Sequence, residues 1–212
     1  MDKFRMEIYQ VGPLSVNCYF LINTDTSELL VVDPGGNAVG LAKKIKDAGY
    51  KPVAILLTHG HFDHILGANE LHSIFNIPIL AHRDEEAMLL EDKESLFHMT
   101  DDPKALVIKA DKFVTDKEEL ELAGYKIRVM HTPGHSLGSC CYYLYEEDIL
   151  MSGDTLFEGS IGRTDFPGGS MAQMKHSLNE VLMKLPDNVK VFPGHGGYTS
   201  IGMERQNNPY VR

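Results

Sequence analysis

Apolar residues recur along this chain at two spacings, and turn formers separate them. Short runs rich in β-branched and aromatic residues predict strands over 5–11, 17–22 and 29–33. The string Asp33-Pro34-Gly35-Gly36 then breaks the pattern. Over 38–48, Val39, Leu41, Ala42 and Ile45 fall at helical spacing, and Gly49 stops the helix. A short buried strand follows at 53–57, a second helix at about 64–75, and another strand at 77–81. Residues 83–115 are charged and irregular and read as a short helix with a covering loop, 84–94 being a solvated acidic face. Strands are predicted again at 126–130, 139–145 and 148–152, a helix at 171–185 with Pro186 beyond it, and a last short strand at 190–192. This order predicts an α/β chain of two sheets with helices outside, a four-layer αββα sandwich.

Composition narrows the classes. At roughly 100–200 residues per domain, 212 residues predict a single domain over 1–212. A hydrophobic fraction of 43% supports one sizeable core. The net charge of −10 argues against a broad footprint on nucleic acid or on an anionic membrane. No run approaches the roughly 18 apolar residues of a membrane span, and charges are scattered through the first 16 residues where a signal peptide would be apolar. The three cysteines, two of them adjacent (Cys140, Cys141), make no disulfide framework and suit a reducing compartment. The expectation is a cytoplasmic protein.

The ten histidines are unevenly spread. Thr58-His59-Gly60-His61-Phe62-Asp63-His64 puts three imidazoles and a carboxylate directly after a buried strand. A strand end fixes the backbone, so a tight loop there can turn alternate side chains inward. Imidazole and carboxylate suit zinc, iron or manganese. Three later segments repeat the form of an apolar strand followed by a glycine turn with one candidate ligand. They end in Pro133-Gly134-His135, Ser152-Gly153-Asp154 and Pro193-Gly194-His195. Together the segments offer five histidines and two aspartates, a set that fits two metal ions. His72, His82, His98, His131 and His176 stand outside the pattern and read as surface or core residues. Cys140 and Cys141 read as packing groups, and Cys18, after the Val-Asn step, reads as close to the pocket but not as a nucleophile.

These motifs, in this order from about Gly12 to His195, resemble the metallo-β-lactamase superfamily. The resemblance implies that family's αββα fold, with the site at the sheet edges. It implies that His59, His61 and His135 hold a first metal, that Asp63, His64 and His195 hold a second, and that Asp154 bridges them. Asp33 matches a carboxylate that orients the histidine loop from behind. Asp154 sets the chain apart from the true β-lactamases, which lack a carboxylate there. The nearer likeness is to short glyoxalase II-like hydrolases, carried by Gly12-Pro-Leu-Ser-Val-Asn-Cys18, Gly153-Asp-Thr-Leu-Phe157 and Gly159-Ser-Ile-Gly-Arg163-Thr-Asp-Phe-Pro-Gly-Gly169. Arg163 lies where glutathione-thioester hydrolases place a contact to the substrate carboxylate; a local ion pair with Asp165 is the competing reading. Two departures stand out. Seventeen residues follow His195, with no counterpart of the helical domain that full-length glyoxalase II uses for glutathione, and Thr164-Asp165 replaces an expected aromatic contact.

The implied function is a metal-dependent hydrolase of thioesters with two divalent ions, zinc foremost and iron or manganese as alternatives. In that mechanism a hydroxide generated on the metals and held by Asp63 attacks a small-molecule acyl substrate. The competing enzyme class is a mononuclear iron persulfide dioxygenase built on the same residue types. A purely structural zinc site is closed by four ligands, and seven candidates exceed that number.

Overall fold

The computed structural model describes residues 3–91, 95–97 and 106–211. The first half forms a six-stranded sheet, in spatial order β1 (Phe4–Val11), β2 (Val16–Asn23), β3 (Glu28–Val32), β4 (Lys51–Leu56), β5 (Ile79–His82) and β6 (Lys112–Val114). The first three strands are antiparallel neighbours and the rest are parallel. Two of the parallel crossovers carry α1 (Ala38–Ala48) and the pair α2 (Phe62–Ile65) and α3 (Ala68–Phe75). The second sheet has the order β14 (Thr199–Ser200), β13 (Lys190–Pro193), β10 (Ile149–Gly153), β9 (Cys140–Leu144), β8 (Tyr125–His131) and β7 (Glu119–Leu122).

Period-two alternation decides which layer each side chain joins. On β2, Cys18, Phe20 and Ile22 face outward onto Leu41, Ile45 and Leu71 of α1 and α3. Tyr19 and Leu21 face inward, where they share a core with Tyr125, Ile127, Val129 and Tyr142 of the other sheet. On β9, Cys141 and Tyr143 face the outer helical layer of Met174, Leu178 and Leu182. The result is helix, sheet, sheet, helix, the αββα sandwich expected. The Tyr125 hydroxyl crosses between the sheets to donate to the Ile22 carbonyl at 2.7 Å. All three cysteines are free and buried. Among the described residues no helix is long and apolar enough to cross a membrane.

Several elements differ from the sequence expectation. The helix expected over 64–75 divides at Gly67, whose N–H donates to the Pro34 carbonyl at 2.7 Å instead of continuing the turn. The helix expected over 171–185 starts as α5 (Met171–His176), widens to π geometry over Ser177–Val181 and tightens over Leu182–Lys184. The strands β6 and β7, the hairpin β11 (Leu156–Phe157) and β12 (Ser160–Ile161), and α6 (Ile201–Asn207) escaped the sequence reading. These elements are short or heavily charged, too brief to show a clear period in the sequence. The solvated face expected over 84–94 is a correction. Arg83–Glu85 forms a tight turn into α4 (Glu86–Leu90), and Glu85, Met88 and Leu89 are buried. Residues 92–94 of that stretch and His98 lie outside the described residues.

Ile127 is fully buried between the sheets and away from the histidine loops. Ile127→Ala leaves a cavity there and is expected to cost about 2–5 kcal/mol. Urea unfolding should show a lower midpoint at an unchanged m-value.

Candidate metal centre

The chain leaves β3 through Asp33, which adopts a left-handed backbone (φ 48°) and is buried. Its carboxylate accepts from the Thr58 N–H at 2.8 Å, the Thr58 hydroxyl at 2.6 Å and His64 Nδ1 at 2.9 Å. These bonds fix two tautomers. His64 must carry a proton on Nδ1, so Nε2 is the nitrogen it turns toward the centre. The Thr58 hydroxyl spends its proton on Asp33, so it accepts from His59 Nδ1–H at 3.1 Å, and His59 Nε2 is a lone pair. On the facing loop, His135 donates Nδ1–H to the Arg163 carbonyl at 2.8 Å, which frees its Nε2.

The freed nitrogens converge. Candidate ligand atoms of His59, His61 and His135 lie within 4.8 Å of one another, as do those of Asp63, His64 and His195, and those of His59, His64 and Asp154. His135 Nε2 stands 2.8 Å from His61 Nδ1. Asp154 Oδ1 is 3.4 Å from His64 Nε2, and Oδ2 is 3.7 Å from both His135 Nε2 and His195 Nε2. Asp63 Oδ2 is 3.2 Å from His195 Nε2. The structure therefore brings together all seven residues named from the sequence, with Asp33 behind them.

This donor set fits metal ions. His59 Nε2, His61 Nε2, His64 Nε2 and Asp154 Oδ1 are buried with no hydrogen-bond partner. Orphaned polar atoms of this kind are costly unless a ligand satisfies them. Burial, then the surrounding imidazoles, push His59 well below the usual range. Burial and His135 bring His61 down to about 3. Both rings are thus neutral and available as ligands. Burial would raise Asp63 and Asp154, but the imidazoles outweigh it and hold both carboxyls low and ionised.

Close backbone approach explains the glycine turns. A Cβ at Gly194 would overlap Asp154 Oδ1 and His64, and one at Gly162 would overlap the Asp154 carbonyl. Supporting groups absent from the sequence reading complete the framework. Glu85 is buried and accepts from Gly60 N–H at 2.8 Å, Gly138 N–H at 2.7 Å and the Ser136 hydroxyl at 2.5 Å. One carboxylate thereby joins the 59–64 loop to the His135 loop. Burial pushes Glu85 up to about 7, against the three donors that pull it down. Asn17 donates to the carbonyls of Pro193 at 3.1 Å and Gly196 at 3.0 Å, and Tyr19 donates to Pro193 at 2.6 Å, fixing the His195 turn. The buried Asn17 sits in the quoted 12–18 phrase; for Glu85 the surrounding charges concealed any signal.

A cavity of about 580 Å³ opens over the centre. Asp63, Asp154, His61, His135 and His195 line it, with Leu14, Phe62, Leu96, Phe157, Phe166 and Arg163 around them. Arg163 pairs with Asp165 through two 2.7 Å bonds, Nε to Oδ1 and an Nη to Oδ2. Its guanidinium lies 3.7 Å from the Phe166 ring centroid. Phe166 thus supplies an aromatic group near Arg163, three positions on in the chain.

The remaining histidines stand apart. His72 bonds the Ile77 carbonyl at 2.9 Å and His176 is exposed. His82 and His131 stack 4.1 Å apart with planes 10° from parallel, beside Asp84. Near-parallel ring planes do not converge on one ion, so this group lacks the geometry of the main centre.

A family profile described as the metallo-beta-lactamase superfamily matches residues 11–195. Among curated proteins, the chain is similar to the probable metallo-hydrolase YqgX of Bacillus subtilis, 38% identical over 201 residues that cover 95% of this chain and 94% of the relative. It is similar to the hydroxyacylglutathione hydrolase GloC of Haemophilus influenzae, 33% identical over 208 residues and 98% of each chain. Among solved structures it is similar to the BLEG-1 B3 metallo-β-lactamase, with a TM-score of 0.91, 38% identity and coverage of 98% and 99% of the two chains. A second, TTHA1623 in a di-iron-bound form, gives a TM-score of 0.85 at 30% identity, covering 97% of this chain and 100% of that one.

Asp33→Asn replaces an acceptor-only group with one that also donates, so it cannot satisfy Thr58 and His64 together. Metal affinity, measured by competition with a chromophoric chelator, should fall about 10–100-fold. Glu85 gives a pH signature. Between its ordinary 4.5 and about 7, the folded chain holds a proton that the unfolded chain has released. Stability of the chelator-treated protein should therefore carry a component that falls as pH rises through this window. Glu85→Gln should flatten that component in urea titrations across pH 4.5–7.

Proposed function

The chain belongs to the metallo-β-lactamase superfamily as one of its metallo-hydrolases, and we propose that its reaction is the hydrolysis of acyl thioesters at a pair of divalent ions, zinc foremost. The observation that carries this reading is the placement of Asp154, whose two oxygens face donors of both histidine clusters. A carboxylate so placed suits a bridge. In this reading His59, His61 and His135 hold one ion, and Asp63, His64 and His195 the other. Bound there, the ions would supply a nucleophile from water near neutral pH and polarise the acyl carbonyl.

The chain's own groups do the rest. Asp63, kept ionised by His64 and His195, accepts a hydrogen bond from the attacking water and aims it. Asp33 holds His64 and Thr58, and Glu85 ties the two histidine loops together, which limits reorganisation of the centre. Phe62 and Phe166 exclude bulk water on one flank of the cavity. His195 is 30% exposed and marks the side open to solvent. Arg163, whose carbonyl accepts from His135, stands at the rim of the cavity beside the substrate path.

Similarity to a hydroxyacylglutathione hydrolase supports the thioester. Similarity to a structure titled a B3 metallo-β-lactamase favours a second reading, opening of a β-lactam ring by the same nucleophile. The substrate is a small acyl compound in either case, and we infer action in the cytoplasm, without nucleic acid or membrane.

Free-thiol release from a thioester panel that includes S-lactoylglutathione tests the proposal, with protein loaded separately with zinc, manganese and iron. Turnover is expected, and a chelator should abolish it. His59→Ala and Asp154→Ala should lose bound metal and turnover together; full activity in either variant sinks the assignment. Turnover of a chromogenic cephalosporin alone would favour the second reading. Oxygen uptake with a persulfide would move the chain to the dioxygenase class.

A further inference from the structure

The walls of the cavity carry information that the donors do not. Phe62, Leu96 and Phe166 form one cluster beside the first imidazoles, with Phe166 meeting His61 edge to face at 5.9 Å between centroids. Phe157 flanks the other end, 6.4 Å from His195. Leu14 completes the rim and is 55% exposed, a large apolar group left in water beside the centre. Exposed apolar surface around a concave site marks a binding surface.

Charge on the same walls is answered already. Apart from the candidate donors, Arg163 is the one charged residue among the described lining residues. Asp165 takes the Nε–Nη2 edge of its fork and its face is spent on Phe166, which leaves the Nη1 side facing solvent. A bidentate pair of this geometry leaves little net positive charge for a ligand. Glutathione brings two carboxylates and an ammonium, and against them the described walls set one cation, already paired with Asp165, and no carboxylate beyond the candidate donors. An alkyl or aryl acyl group finds apolar contact at both ends of the centre.

Resting on the thioester reading, we propose that the substrate is an apolar acyl thioester, of a medium-chain or aromatic acid, recognised through its acyl group and not through a peptidic thiol carrier. Phe166 and Phe62 set the acyl preference, and the Arg163–Asp165 pair closes the rim as a neutral unit.

The test is an acyl series from acetyl to octanoyl on the uncharged carrier N-acetylcysteamine, compared with S-lactoylglutathione, using the metal-loaded full chain. Burying each methylene should raise kcat/KM about two- to fourfold until the cavity is filled, and hexanoyl should exceed lactoylglutathione. Phe166→Ala should lower the hexanoyl-to-acetyl ratio several-fold. A flat series, or lactoylglutathione ahead of every neutral ester, overturns the inference while leaving the hydrolase intact. Methylene-ketone analogues, with CH2 in place of the thioester sulfur, are titrated in parallel by calorimetry. Affinity that climbs with chain length but no hydrolysis of any ester supports the apolar site and overturns the thioester reaction. Affinity independent of chain length overturns the apolar site whatever the turnover.

Discussion

The carboxylate of Asp33 is the constraint on which the centre depends. It sits at the end of β3 in a left-handed backbone and takes hydrogen bonds from Thr58 and His64. Through the Thr58 hydroxyl it also sets the proton on His59. One buried acceptor thereby decides which nitrogen of two imidazoles faces the centre. A histidine offers one lone pair at a time, so a wrong tautomer would turn a proton toward the ion. Asp33 brings a negative charge under the loop as well, which favours cationic partners above it.

A second buried carboxylate ties the two halves together. The 59–64 loop follows a strand of the first sheet, and the His135 loop connects two strands of the second. Glu85 belongs to neither loop and bonds both, through Gly60 on one side and Ser136 and Gly138 on the other. Around it, Thr58 accepts from the Cys140 N–H at 2.9 Å and Leu57 from the Tyr142 hydroxyl at 2.9 Å. The sheet edges are thus locked at the point where the two sets of donors meet. Such rigidity suits a site whose work is positioning and electrostatics. The cavity above it is built on another principle. Its donors are imidazoles and carboxylates, whereas its walls are aromatic and aliphatic, and the one other cation among the described lining residues is paired locally.

The sequence carried the centre to an unusual degree, because strand-then-glycine-turn units announce themselves locally. His59, His61, Asp63, His64, His135, Asp154 and His195 each follow an apolar run that fixes where the backbone goes. The strand and helix periods of the long elements were legible for the same reason, and with them the αββα order. What escaped were segments too short or too charged to show a period, and groups whose role depends on a partner elsewhere in the fold. Lys112–Val114 and Glu119–Leu122 become edge strands only because β5 and β8 offer hydrogen bonds. Glu85 lies among charged neighbours and reads as solvated until the two loops close over it. The break at Gly67 depends on the carbonyl of Pro34.

Sequence alone therefore determined the layered fold, the family likeness and the identity of the candidate donors. Each of these follows from local periodicity or from residue types at fixed spacing. Tertiary structure decided the tautomers, the burial that keeps His59 and His61 neutral, the part Glu85 plays, and the apolar character of the cavity walls. Arg163 shows why. Two residues from Asp165, it could be read from the sequence as an ion pair or as a contact to substrate. The fold places its charge against Asp165 and its face on Phe166, and binding and proton position are properties of neighbours in space.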